Sequence, residues 1–158
     1  MKARTTTVTT MLCLALLGGA ASAAASTADE SAQSKGRAVA KEEKNRALVI
    51  EFYTAVLGQR QVEKAPQYLR EDYIQHNPFA ATGRDAFMNF FRTLFAQYPQ
   101  SEHRIVRTAA DGDLVYLHVH AKNSPDDRGR AVMDILRVEN GMIAVSYTHL
   151  TLPTILLV

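Results

Sequence analysis

At Pro99 the hydrophobic period of this 158-residue chain changes. Before it, apolar side chains recur every three or four residues, as on a helix with one buried face. After it they alternate, as on a half-buried strand. On the helical side Leu48, Val49, Phe52, Tyr53 and Val56 form one stripe, with Gly58 as its stop, and Phe87, Phe90, Phe91, Leu94, Phe95 and Tyr98 form a longer one. Between them residues 62–69 read as a short helix weakened by Pro66, and residues 73–78 as a short strand ending in a bend set by Pro78. Thr82 and Asp85 have the spacing of a helix-start box before the aromatic helix. Beyond Pro99, residues 101–108 alternate weakly and residues 114–121 and 131–138 strongly. Asp111-Gly112-Asp113, a polar turn over 123–129 and Glu139-Asn140-Gly141 separate them. Helices first and an antiparallel meander of strands after predict an α+β domain, with helices on one face of a curved sheet.

The N-terminus reads as an export signal over residues 1–25. Lys2 and Arg4 supply a basic start, residues 11–17 an apolar run, and Ala21-Ser22-Ala23 a small-x-small cleavage pattern. The run is short for a membrane span, so a periplasmic or secreted protein without a stable membrane anchor is expected. Residues 26–41 read as a flexible spacer, residues 42–144 as the folded domain. The sole cysteine, Cys13, lies in the leader, so the mature chain has no thiol for a disulfide, a zinc site or a nucleophile. Without Lys2 and Arg4 the 18 Lys and Arg fall to 16, against 16 Asp and Glu. That balance gives no electrostatic reason for a nucleic-acid partner.

Three short runs carry the chemistry. Alternation puts Val132, Asp134, Leu136 and Val138 on one face of their strand, so Asp134 is an acid among apolar neighbours. Desolvation there favours its neutral form and suits it to proton transfer; pairing with an Arg or His as a purely structural contact is the alternative. Leu114, Tyr116, His118 and His120 share a face of the preceding strand, as a pocket wall or as a surface feature. His76-Asn77-Pro78 places an imidazole and an amide at a strand end, where both can bond a ligand oxygen or, alternatively, cap a loop. A metal would need a third ligand beside the histidine pair, and nothing in the spacing demands one.

The run from Val145 to Thr154 can be encoded by a string resembling the transposon-end adapter of fragment sequencing libraries. Residues 145–158 are therefore expected to be a non-native tail, whose side chains, Tyr147 and His149 included, are kept out of any site. Sequencing the locus from intact DNA decides this.

Residues 47–143 resemble the SnoaL-like proteins of the NTF2-like superfamily. The resemblance is carried by Phe52-Tyr53, by Tyr73-Ile74-Gln75-His76-Asn77-Pro78, by Gly83, by Gly112-Asp113-Leu114-Val115 leading to His118-Val119-His120, and by Asp134-Ile135-Leu136-Arg137-Val138-Glu139-Asn140-Gly141. More distantly, the Asp134 strand resembles the one that carries the oxyanion-hole acid of ketosteroid isomerases. The resemblance implies a cone-shaped fold, a curved antiparallel sheet wrapped by about three N-terminal helices, often dimeric, with a cavity between sheet and helices. It also implies polyketide-cyclase-like acid–base chemistry on a small apolar molecule, with neither metal nor organic cofactor. Within it Asp134 is the expected acid/base, with His76 and His118 as catalytic partners. Asn77, His120, Tyr53, Phe79, Phe91 and Tyr116 are the expected substrate-binding residues. The family commonly continues after the Gly141 turn with a Glu-His-Trp-Asp type run, which this sequence lacks. A non-catalytic ligand-binding module and a structural dimerisation domain are the alternatives.

Overall fold

The computed structural model describes residues 19–77 and 80–150, with side chains from residue 31 to 149. The chain divides into two units, Met1–Arg37 and Ala38–Val158. Helix α1 is Gly19–Phe52 and begins well before residue 42, where the folded domain was expected to start. Residues 26–41, expected as a spacer without regular structure, are thus helical. Their many alanines have the highest helix propensity, and residues 31–41 are exposed, so no apolar stripe is needed there. Most of the leader lies outside the described residues. Among the described residues, no helix is long and apolar enough to cross a membrane.

In the second unit α1 runs into a π-helical turn, Tyr53–Gly58, and a short 3-10 helix, Val62–Gln67. Strand β1 (Leu69–His76) and helix α2 (Arg84–Gln97) come next. Four strands complete the unit: β2 (Glu102–Asp111), β3 (Leu114–Lys122), β4 (Arg130–Glu139) and β5 (Met142–Leu150). With β1 they form one curved five-stranded sheet in the order β1-β5-β4-β3-β2. The predicted antiparallel meander is β2 to β5, while β1 joins at the edge in parallel with β5. That parallel pair was not anticipated, because the segment joining β1 to β5 contains the rest of the fold and leaves no local turn signal.

Burial follows the alternation. Val115, Leu117 and Val119 of β3 are wholly buried, and they pack with Val49, Val56, Leu69, Leu136 and Ile143 into one core. Two polar contacts lock α1 to the sheet: Asn45 donates to the Gly112 carbonyl at 3.1 Å, and the Gly112 amide donates to Glu42 at 2.9 Å. The Asn140-Gly141 turn has φ of 51° and 78°, the left-handed pair that closes a two-residue hairpin. The predicted helix-start box is different. Gly83, at φ 105°, precedes α2 with no side-chain cap. Thr82 instead accepts a 2.8 Å hydrogen bond from the Gln75 amide, and the Gly83 amide donates to the Tyr73 carbonyl at 2.9 Å. The loop is thereby bound to β1, because an edge strand has free backbone groups to offer.

Candidate functional site

A cavity of about 330 Å³ lies between the helices and the inner face of the sheet. Phe87, Phe90, Phe91 and Leu94 of α2 form one wall, Phe52 and Leu57 another, and Val132 and Leu136 of β4 the floor. The rings interlock, with Phe87 and Phe91 centroids 4.6 Å apart and Phe52 and Phe87 5.8 Å apart. Such a wall suits a ligand with an apolar body.

Asp134 rises from this floor. It is opposite Leu117 of β3 and Thr148 of β5, so it shares the core-facing side of both neighbours. The Tyr53 hydroxyl donates to Asp134 Oδ2 at 2.9 Å, whereas Oδ1 is buried and makes no hydrogen bond within the protein. Burial raises the Asp134 pKa above the usual carboxylate range. Hydrogen bonds from Thr148 and Tyr53 and the nearby His149 charge pull against it, less strongly. Burial also raises Tyr53 well above an ordinary phenol, helped by the Asp134 charge, so Tyr53 stays a donor. Tyr73 is raised by burial as well, and its hydroxyl hydrogen-bonds Ser146 and donates to Gln75 Oε1 at 3.1 Å. With Oε1 engaged, the buried Gln75 Nε2 has no protein partner, and Gln75 is one of the residues lining the cavity. Unpartnered buried polar atoms are uncommon in folded proteins, and their clustering at one cavity marks a place for a polar ligand atom.

A second polar region is built from one row across the sheet. His103 of β2 is opposite Ala121 of β3, and Ala121 is opposite Arg130 of β4. All three line the cavity, and the small alanine leaves room between the longer side chains. His103 is in edge contact with Phe91 and Phe95, at 6.2 and 6.0 Å, and its buried Nδ1 is unpartnered. Burial, then the charges of Arg130 and Arg60, depress its pKa to about 4, so it is neutral near pH 7.

Of the residues proposed from sequence, Asp134, Tyr53, Asn77 and Phe91 line this cavity. His118, His120 and Tyr116 do not. They are opposite Met133, Ala131 and Ile135, on the side of the sheet turned away from Asp134. There His118 Nδ1 meets Arg107 at 3.3 Å, and His120 Nε2 lies 3.0 Å from the Arg128 carbonyl. His76 is also excluded. It alternates with Gln75 and Asn77, is exposed, and stacks on Tyr147 at 4.8 Å. Phe79 lies outside the described residues. Gln75, His103 and Arg130 went unnoticed. Alternation from Tyr73 points to Gln75, but nothing local marks His103 or Arg130. Among the described residues, no three His, Cys, Asp or Glu side chains converge as a metal site would require.

Comparison with known proteins agrees with this architecture. No protein of curated function matches the chain. An NTF2-like protein of unknown function from Cytophaga hutchinsonii superposes with a TM-score of 0.58 at 20% identity, covering 68% of this chain and 89% of its own. A candidate ketosteroid isomerase from Kribbella flavida gives 0.60 at 23% identity, covering 71% and 81%. A candidate polyketide cyclase from Acidithiobacillus ferrooxidans gives 0.59 at 14% identity, covering 68% and 87%. These likenesses establish the NTF2-like fold. The model of the SnoaL-like domain matches residues 49–146, well over half of the chain, and the chain therefore belongs to the SnoaL-like domain family.

Proposed function

We propose that the protein is a cofactor-independent acid–base enzyme acting on a carbonyl-bearing, largely apolar small molecule, by isomerisation or aldol-type cyclisation. The observation that carries this is Asp134: a carboxyl group in the lining of an apolar cavity, one oxygen held by Tyr53 and the other buried with no hydrogen-bond partner. A raised pKa makes its carboxylate a stronger base than an exposed one. Asp134 Oδ1 takes a proton from the carbon next to the substrate carbonyl. The Gln75 amide N–H donates to the oxygen that gains charge, and Tyr53 holds Oδ2 throughout. The same carboxyl then returns the proton at a second position, or the enolate carbon attacks an internal carbonyl. His103 is neutral and takes no part in proton transfer. Ser146 and Thr148, of the adapter-like run, contact Tyr73 and Asp134 but are given no step in the mechanism.

The test is hydrogen–deuterium exchange at the α-carbon of 2-tetralone, followed by NMR. Asp134→Asn keeps the shape and removes the titrating group; it is expected to lower the catalysed rate by about 10²-fold or more. Equal rates in the two proteins rule out the role. A non-catalytic binding module is the second reading. It is favoured by the absence of His76, His118 and His120 from the cavity, which leaves Asp134 without the imidazoles expected beside it. Probe binding with no exchange above the solution rate decides for it. Export is proposed from the leader. A homodimer through the outer sheet face is proposed from exposed Ile74 and Met133, at 46% and 40%.

A further inference from the structure

The second polar region of the cavity is built for charge. Arg130 lines the cavity on the same side of β4 as Asp134. Its one direct contact among the described residues is the Asn123 side-chain oxygen at 3.5 Å, and no carboxylate lies within ion-pair distance. Asp127 feels its charge, but the Asp127 oxygens are taken by the Asn123 and Gly129 amides, each at 2.9 Å. Its field also reaches Tyr53 and His103, as expected of a cation turned toward the cavity. A guanidinium is always charged and offers a planar fork of donors matched to a carboxylate. His103 beside it is neutral near pH 7 and adds no competing positive charge.

We infer that the cavity takes an apolar organic acid, whose carboxylate pairs with Arg130 while its carbonyl oxygen accepts from Gln75 beside the Asp134 base. This names the substrate class for the site proposed above and rests on that reading of the cavity. The two poles are four residues apart along one strand, about 13 Å between Cα atoms at the rise of a β-strand. Both side chains reach inward, so the carboxylate and the reacting carbonyl belong on opposite ends of a ring-sized apolar body, not on adjacent carbons. The Phe87–Phe91 wall lies along that body.

Calorimetric binding of 2-naphthylacetate and its methyl ester at pH 7 tests the inference. The acid is expected to bind about 10-fold or more tightly than the ester, the worth of one partly buried charge-assisted pair. Arg130→Gln is expected to bring the acid down to the ester's affinity while the ester is unchanged. Arg130→Lys, which keeps the charge and loses the fork, retains part of the preference. Equal affinity of acid and ester in the unmodified protein, no detectable binding of the acid, or a preference that persists in Arg130→Gln overturns the inference. Asp134→Asn separates the two proposals. If acid–base catalysis is wrong, that variant leaves α-proton exchange unchanged and the acid still binds preferentially through Arg130. If the Arg130 assignment is wrong, the preference is missing while exchange still depends on Asp134.

Discussion

Tyr53 donates a 2.9 Å hydrogen bond to Asp134 Oδ2, tying the π-helical turn that ends the first helix to the fourth strand of the sheet. The bond joins residues 81 positions apart in the chain and lies at the bottom of an apolar cavity. It leaves Oδ1 as the carboxyl oxygen without a hydrogen-bond partner. It also lowers the Asp134 pKa, working against the larger rise caused by burial.

Removing that bond has a defined direction. Tyr53→Phe is expected to raise the Asp134 pKa further, because a contact that favours the charged form is lost. It also costs stability, about 1–2 kcal/mol for a hydrogen bond with a buried partner left behind. NMR titration of the Asp134 carboxyl carbon and chemical denaturation measure the two effects separately.

Asp134 itself should make the protein less stable as pH rises. Its folded pKa is raised, so the folded protein keeps a proton that the unfolded chain has released above ~3.9. The contribution is fully present below that value and is lost as pH climbs through the folded pKa. Asp134→Asn, which does not titrate and can still accept from Tyr53, is expected to flatten this dependence. Denaturation curves collected from pH 4 upward check it.

His103 acts on the acid side. Its folded pKa of about 4 lies below the unfolded value near 6.5, so the unfolded chain binds the proton first as pH falls. The stability it contributes is intact above ~6.5 and declines toward pH 4, by roughly 3 kcal/mol at most. In His103→Leu, which removes the titrating ring and its unpartnered nitrogen, the loss over that window should disappear. Thermal melts at pH 7 and pH 4.5 make the comparison.

His118 provides the contrast. It faces away from the cavity and contacts exposed Arg107, so His118→Ala is expected to change probe affinity and exchange rate by less than about twofold. A large loss of either would mean that the sheet's outer face communicates with the cavity.

Gly129 controls the approach to Arg130. Its φ is 77°, and an added Cβ would come within 2.9 Å of the Ala121 carbonyl oxygen and overlap the His120 ring. Gly129→Ala is expected to cost about 1–3 kcal/mol from the left-handed backbone and the clash. It should also weaken binding of 2-naphthylacetate more than binding of its methyl ester, since the strand enters the sheet at Arg130. Melting temperature and calorimetry report the two effects.

The order of elements was legible along the chain because each carries its own period: three to four for α2, two for β3 and β4. The same alternation placed Asp134 with Val132 and Leu136, and all three line the cavity. What one strand cannot state is its register against the next, and a shift of one residue turns every side chain to the other face. His118 and Asp134 were each read correctly within their own strand. The pairing of Leu117, not His118, with Asp134 separated them. His103 and Arg130 came together for the same reason in reverse: each is unremarkable locally, and only the row through Ala121 makes them neighbours. Local periodicity thus determined the fold class, the strand faces and the identity of the buried acid. Long-range pairing, together with the parallel docking of β1 beside β5, decided which polar groups share the cavity, because side-chain proximity across a sheet depends on partners distant in the chain.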